Sequence, residues 1–417
     1  MKLFHTADIH FGVENYGKID PKTGIHTRLL DFARNFEMIV ARAIAENIDL
    51  LLFSGDAYKT AHPTPTQQKL LAQLMLKLQR AGIPVVIVVG NHDHPLSFGR
   101  AHALDVFSYL PVEGFYVFSK PDLIVVPTKS GPVQVVGIPW PMRNHVVAQD
   151  AHRLKNHAEI AAYIAERVGQ IIQSFADQLD KKMPAVLAGH LTVSSGIFSG
   201  SEKCAIYGTD PILLPSQLAL PGFDYVALGH LHRYQNLNKS GTPVVYAGSI
   251  ERVDFGERKE SKGFCSVTIE KCGDDKRQTA YSFVELPTRP MIQIEVFLDG
   301  VKDQTEQIID AIKKHDINDA IVKIMYHIPE GKQDRVDLAV VLQVCAQAMY
   351  VVGILPIHKL VTRERRAALK VDMDYTTLLS RYIESKETLH ARKALLIEKA
   401  ITLQQELELQ KLESEQG

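Results

Sequence analysis

Cysteine is scarce: there are four in 417 residues (Cys204, Cys265, Cys272 and Cys345), and none stands in a C-x-x-C pair. A disulfide scaffold is thereby excluded, and a reducing cytoplasm is the default expectation. Long apolar runs are missing too. Ile83–Val89 is typical of them and falls far short of the ~20 residues that cross a bilayer, so no membrane partner is expected. Met1-Lys2-Leu3-Phe4-His5-Thr6-Ala7-Asp8 puts a His and an Asp where a signal peptide needs an unbroken apolar core. Neither sign of charge dominates: 47 Lys+Arg against 48 Asp+Glu leaves a net charge of -1. That excludes a uniformly basic nucleic-acid coat but not a local basic groove. Internal repeats and low-complexity linkers are absent. What remains is an ordinary globular composition, 46% apolar and 23% charged, able to bury a sizeable core. At ~100–200 residues per domain it is long enough for two or three. The informative excess is histidine, 17 in all, with several at the ends of apolar runs.

Along the first part of the chain, short apolar runs alternate with amphipathic stretches. Lys2–Ala7, Asp49–Phe53 and Pro84–Val89 read as strands. Arg28–Glu46 and Thr66–Arg80 carry apolar residues at helical spacing. The strands are apolar throughout rather than alternating, which implies cover on both faces and a β-α-β-α-β unit. A Pro-rich stretch follows. Then come a helix over His157–Leu179, strands at Ala185–Ala188 and Asp224–Leu228, and two strands, Val244–Ala247 and Phe264–Ile269, expected to be antiparallel and to close a second sheet. Near Pro287–Pro290 the chain reaches a plausible boundary. From Met291 to about Thr362 a smaller α/β unit is expected, with a helix over Arg335–Met349. The last segment, from about Tyr375, has Leu389, Leu396 and Leu403 at sevenfold spacing, which predicts amphipathic helices.

Five polar clusters share one placement, each just after an apolar strand: Asp8-x-His10, Gly55-Asp56, Gly90-Asn91-His92-Asp93, Gly189-His190 and Gly229-His230-x-His232. Ligand sites in α/β sheets form beyond the carboxyl ends of strands, so residues more than 200 positions apart can meet there. Imidazole and carboxylate suit borderline divalent metals better than Ca²⁺. Asp8, His10, Asp56 and His232 can serve one ion, and Asp56, Asn91, His190 and His230 a second, with Asp56 bridging.

These five clusters resemble the signatures of the calcineurin-like metallophosphoesterases. The resemblance implies an α/β fold, a two-layer β-sandwich flanked by helices, and two metal ions, here expected to be Mn²⁺. Leu187-Ala188-Gly189-His190-Leu191-Thr192-Val193-Ser194, Tyr246–Glu257 and Lys262-Gly263-Phe264 are similar to the D-subunit nucleases of bacterial SbcCD complexes. That narrower resemblance implies a nuclease domain over 1–288, a capping domain for DNA specificity over 289–370, and C-terminal helices over 371–417 that dock on an SbcC-type coiled-coil ATPase. It further implies 3′ to 5′ exonuclease and hairpin endonuclease activity on DNA, ATP gating through the partner, a homodimer within a heterotetramer, and a place in the cytoplasm near the nucleoid. His92 is expected to act outside the ligand set by protonating the leaving sugar oxygen, with Asp93 accepting its other ring N–H. In archaeal relatives a histidine lies three residues after the bridging aspartate. Here that position is Lys59, so the auxiliary role does not transfer, and Lys59 either contacts a phosphate or is solvated.

Candidate phosphate-tracking cations are Lys59, Arg143, Arg252, Arg258, Lys259 and Lys262, interleaved near the last motif with Glu251, Asp254, Glu257 and Glu260. Gly12–Ile19 mimics a phosphate-binding GxxxxGK loop, but Ile19 stands where a magnesium-binding Ser or Thr belongs. Two other readings compete: a stand-alone phosphodiesterase or phosphatase acting on nucleotides, and a metal-stabilised scaffold with no activity. A complete ligand pattern speaks against the scaffold.

Overall fold

The structure is a computed structural model that describes residues 1–95, 101–109, 113–142, 156–200, 210–273, 276–358, 375–384 and 387–414. It falls into two compact units. One comprises Met1–Val296, Thr305–Met325 and Val336–Leu355, and the other Phe297–Gln304, Tyr326–Arg335 and Pro356–Gly417.

The first unit is built on two six-stranded sheets. In sheet one, β1 (Lys2–Thr6), β2 (Leu50–Phe53), β3 (Val85–Val88) and β4 (Phe115–Phe118) run parallel. In sheet two, β6 (Val133–Ile138), β7 (Ala185–His190), β10 (Tyr225–Gly229) and β12 (Val244–Tyr246) do the same. Short β8 (Thr192–Val193) and β9 (Ile212–Leu213) pair separately. Antiparallel strands finish the edges: β5 (Asp122–Val126) and β11 (Gln235–Asn236) on sheet two, and β13 (Gly263–Lys271) with β14 (Arg277–Glu285) on sheet one. This corrects the expected partnership of Val244–Ala247 with Phe264–Ile269. β12 lies parallel to β10 in sheet two, whereas β13 crosses back to pair with β1. Strands apolar on both faces carry no signal of which neighbour they join.

Side-chain alternation along the strands divides the core into layers. Leu50 and Leu52 of β2 face the space between the sheets, with Val86, Val88, Val135, Val186, Ala188 and Ala227. Leu51 and Phe53 face the opposite way, onto Phe32, Phe36, Ile39, Leu71 and Met75. Those residues come from α1 (Thr27–Ala45) and α2 (Pro65–Arg80). Sheet two is covered likewise by α3 (His157–Ala176), whose Ile160, Ile164, Val168 and Ile172 meet Leu187, Val226 and Leu228. Each fully buried Leu or Ile contributes ~1.5–3 kcal/mol of burial free energy. Local signals set the helix starts: Thr64 with Gln67 and Asn156 with Glu159 form capping boxes ahead of α2 and α3.

Over 291–358, strands Met291–Phe297, Ile321–Ile328 and Tyr350–His358 alternate with α4 (Gln304–Ile312) and α5 (Leu338–Val344). α5 is shorter than the helix expected over Arg335–Met349, because Asp337 caps its start and Cys345–Gln347 tightens into a 3₁₀ turn. The C-terminal segment forms α6 (Tyr375–Glu384), a 3₁₀ stretch over Glu387–Arg392, and α7 (Lys393–Ser414). Leu389 lies in the 3₁₀ stretch, so the sevenfold leucine spacing does not run along one continuous α-helix. No helix among the described residues is long and apolar enough to cross a membrane.

Candidate metal centre

Because β1, β2 and β3 are parallel, as are β7 and β10, the loops after them open on one side of the molecule. The loops after β1 and β2 stay zipped together past the strands: Ser54 N donates to Thr6 O at 2.9 Å, Asp8 N to Gly55 O at 3.0 Å, and His10 N to Asp56 O at 3.0 Å. Within that ladder the backbone is forced into the left-handed region at Asp8 (φ 52°), His10 (φ 49°) and Asp56 (φ 59°), and His230 has φ 105°. Such conformations cost non-glycine residues about 1–3 kcal/mol each and persist where the surroundings over-determine them. The preceding glycines permit close approach. A Cβ on Gly55 would fall 2.3 Å from His190 Nδ1, and one on Gly90 would fall 2.2 Å from Asp56 Oδ1.

All seven ligand candidates, Asp8, His10, Asp56, Asn91, His190, His230 and His232, are brought together. His10 Nε2 lies 3.0 Å from His232 Nε2 and 3.7 Å from Asp56 Oδ2. His190 Nε2 lies 3.4 Å from the same oxygen, and the other oxygen of Asp56 accepts the backbone N–H of His92 at 2.9 Å. Asn91 Oδ1 faces His190 Nε2 at 2.9 Å and His230 Nδ1 at 3.1 Å. Asp8 receives the backbone N–H of His230 at 3.0 Å. Asp8, His10 and His232 bring ligand-type atoms together, as do Asp8, Asp56 and His190, and His10, Asp56 and His92.

The donor set fits divalent cations. Burial pushes the Asp8 carboxyl up to about 7, the sign of a desolvated acid with too little positive charge around it. Burial also acts to raise Asp56, but His190, together with His92 and His10, outweighs it and holds the carboxyl well below the usual range. Conversely, burial would lower His190, and Asp56 instead lifts it to about 9. His10 and His230 lie deep enough that burial keeps them neutral, His230 near 3. Ring orientation is set from outside. His190 Nδ1 donates to Ser54 O at 2.8 Å and His232 Nδ1 to Glu257 Oε1 at 2.8 Å. Each bond aims the ring's Nε2 inward, as in histidines that bind metal. Trp140, whose backbone N–H donates to Val89 O, lays its ring 4.8 Å from that of His230 and 6.0 Å from that of His190.

His92 sits beside this group, its ring 5.0 Å from that of His10. The expectation that Asp93 orients it is corrected. His92 Nδ1 donates to the carbonyl of Lys59 at 2.9 Å. Asp93 is fully buried and accepts four backbone N–H groups instead, from Asp56 (2.9 Å), Ala57 (3.0 Å), Tyr58 (3.3 Å) and Gly90 (3.0 Å). It is the brace that holds the Asp56 loop against the Asn91 loop. Four amide donors satisfy the carboxylate and leave it no reach toward the ring.

The candidate cations are not gathered into one patch. Lys262 is corrected from surface cation to core residue: it is fully buried, with Nζ on Glu257 at 2.9 Å and on Glu260 at 3.1 Å. Arg252 is half-buried and donates to the carbonyls of Arg289 and Glu260. Arg258 donates to Phe255 O, whereas Lys259 is exposed. Lys59 is half-buried, and its charge bears on both His10 and His92. Arg143 lies outside the described residues. Sequence reasoning missed Glu257, the Ser54 and Lys59 carbonyls, and Trp140 as parts of the site. Only Trp140 carried a signal, as the sole tryptophan at the end of an apolar run.

A family model described as calcineurin-like phosphoesterase matches residues 1–234, a stretch that includes every ligand candidate. Among curated proteins, the D component of the nuclease SbcCD of Staphylococcus epidermidis is 27% identical over 318 residues, covering 76% of this chain and 77% of that protein. Among solved structures, a dimetal phosphatase from Danio rerio is 11% identical with a TM-score of 0.38, covering 68% of this chain and 98% of its own. The anchor protein of the Plasmodium inner membrane complex is 12% identical with a TM-score of 0.39, covering 68% and 84%.

Proposed function

Because the chain belongs to the calcineurin-like phosphoesterase family and is thus a phosphoester hydrolase with a dinuclear metal site, we propose that its substrate is DNA, which it cleaves as the nuclease component of a complex with an SbcC-type ATPase. The observation that carries the hydrolytic reading is the meeting of five strand-end clusters around Asp56, with imidazole nitrogens of His10 and His190 both facing one of its carboxylate oxygens. DNA as substrate, and the ATPase as partner, rest on the likeness to the D component of SbcCD.

Asp8, His10, Asp56 and His232 would hold one cation, and Asp56, Asn91, His190 and His230 the other, with Mn²⁺ the ion expected. When bound, such a pair polarises the phosphoryl oxygens and absorbs the charge of an in-line displacement. The chain's own groups do the rest. The Lys59 carbonyl fixes a proton on Nδ1 of His92, so this ring exchanges protons through Nε2, toward the leaving sugar oxygen. Burial lowers the His92 pKa, Asp56 partly restoring it, so its imidazolium parts with a proton readily. The Lys59 ammonium offers a point charge to a neighbouring phosphate. Trp140 shields the His190 and His230 rings from water.

In this reading 1–288 is the nuclease domain, 289–370 caps it and selects DNA, and the helices of 371–417 grip the ATPase. The assembly is a homodimer of such chains within a heterotetramer in the cytoplasm, acting 3′ to 5′ on duplex ends and opening hairpins. A panel of labelled hairpin and duplex DNA, cyclic nucleotides and bis-p-nitrophenyl phosphate, each with Mn²⁺ or Mg²⁺, tests it. Cleavage of DNA ends and hairpins in preference to nucleotides is expected. Turnover confined to nucleotides or to the small diester would replace it with a stand-alone phosphodiesterase.

A further inference from the structure

Glu257 and Lys262 lie beyond the stretch matched by the family model, and both are fully buried. Glu257 Oε1 accepts the Nδ1–H of His232 at 2.8 Å, while its Oε2 accepts from Val253 N and Lys262 Nζ, each at 2.9 Å. Lys262 Nζ also donates to the carbonyl of His232 at 2.8 Å. The pair therefore holds one histidine by both ring and backbone. Burying an ion pair is expensive, and well-packed apolar residues often replace one without loss of stability. A buried pair aimed at one imidazole calls for another explanation.

The neighbouring imidazoles are treated differently. His190 Nδ1 donates to a neutral backbone carbonyl, that of Ser54, and His230, whose Nδ1 faces the ligand candidate Asn91, has the Asp210 carboxylate 3.9 Å from its outer Nε2, beyond hydrogen-bond reach. A carboxylate acceptor polarises an imidazole more strongly than a neutral carbonyl, raising the basicity of its other nitrogen and fixing the ring. We infer that the Glu257–Lys262 pair is a positioning clamp on His232, and that it makes the cation position served by His10 and His232 the tighter of the two. Lys262 has a defined part in this: its ammonium pairs with the carboxylates of Glu257, at 2.9 Å, and Glu260, at 3.1 Å, and offsets part of the negative charge beside His232. The inference rests on the metal-centre reading above and not on the identity of the phosphodiester cleaved.

The test is Mn²⁺ titration of the full chain, with two readouts that need no turnover. Electron paramagnetic resonance counts free against bound Mn²⁺. Fluorescence of Trp140, the sole tryptophan, reports quenching at the position beside His230. The wild type is expected to show two affinity classes, with Trp140 quenching following the weaker one. Glu257→Gln should weaken the tighter class by about 10–100-fold and leave the Trp140-reported class in place, in a variant that still folds but melts lower because Lys262 loses a buried partner. Glu257→Asp, which keeps the charge, should recover part of the loss. If Glu257→Gln does not fold, Lys262→Met takes its place, with the same class weakened. Unchanged classes in a folded variant would overturn the inference, as would equal weakening of both classes, which would make the pair a general brace. A wild type that binds no Mn²⁺ overturns the metal reading and this inference with it. One that binds two ions yet leaves DNA uncut overturns the nuclease reading alone.

Discussion

The two sheets furnish opposite walls of the site, and they furnish different chemistry. Sheet one supplies Asp8, His10, Asp56, Asn91 and His92, hence every carboxylate among the ligand candidates. Sheet two supplies His190, His230 and His232, with Trp140 beside them, and no acid among the ligand candidates. Three of the four left-handed site residues, Asp8, His10 and Asp56, belong to sheet one, and His230 alone to sheet two. The charged wall is thus the strained one, and the imidazole wall the more relaxed. A cation centre of this kind exists only where the walls meet, because the acids need partners from sheet two to offset their burial. Burial pushes Asp8 up, to about 7 even with His190 and His232 pulling it back. The inter-sheet core of Leu50, Leu52, Val186 and Ala188 therefore does more than stabilise the fold: it keeps acid and imidazole in register.

The most damaging way to break this division is to remove the residue both halves of the site share. Asp56→Ala should abolish Mn²⁺ binding at both positions, not one, and take DNA cleavage to background. Two ions still bound by equilibrium titration would show that Asp56 is not the shared ligand. Next in size is His92, which belongs to the charged wall but is not assigned to either ion. His92→Ala should keep both ions while turnover falls by about 10²–10⁴-fold. Full activity in single-turnover assays would remove this ring from proton transfer. Smaller again is the effect of loosening the layer between the walls. Leu52→Ala should cost about 2–5 kcal/mol in denaturant unfolding and also weaken Mn²⁺ binding by the folded protein. Lost stability with unchanged metal affinity would mean that the loops, zipped by their own hydrogen bonds, keep register without the core.

Much of this contrast is legible in the sequence alone. The strand-end clusters stand out because a buried parallel strand is a short apolar run, and a polar residue straight after it has few reasons to be there. The helices over both sheets announce themselves by spacing and by capping residues such as Thr64 and Asn156. What stays hidden depends on partners distant in the chain or in space. Val244–Ala247 and Phe264–Ile269 look alike as sequences, yet they belong to different sheets, since nothing in an apolar run names its neighbour. Lys262 reads as a surface cation because unpaired lysines are rarely buried. Its ion pairs with Glu257 and Glu260 are visible only once the turn over residues 255–262 is folded. Asp93 adjoins His92 in sequence, but the turn directs its carboxylate to four backbone amides and leaves the ring to a carbonyl 33 residues earlier.

The smallest expected effect lies at the rim of the charged wall. Lys59 is a cation of the sheet-one side whose charge already bears on His10 and His92, and its backbone carbonyl, not its side chain, orients His92. The two roles can be separated. Lys59→Ala leaves the carbonyl in place, so the His92 bond and both ions should persist. What should change is the salt dependence of DNA binding. Removing one phosphate contact lowers the slope of log affinity against log salt by about 1 and weakens binding to all sequences alike. Filter binding or anisotropy across a salt series, with catalysis suppressed by omitting the metal, measures that slope directly. An unchanged slope would mean that Lys59 is merely solvated and that phosphates approach from elsewhere. Lys259, exposed beyond the last motif, would then be the next residue to substitute.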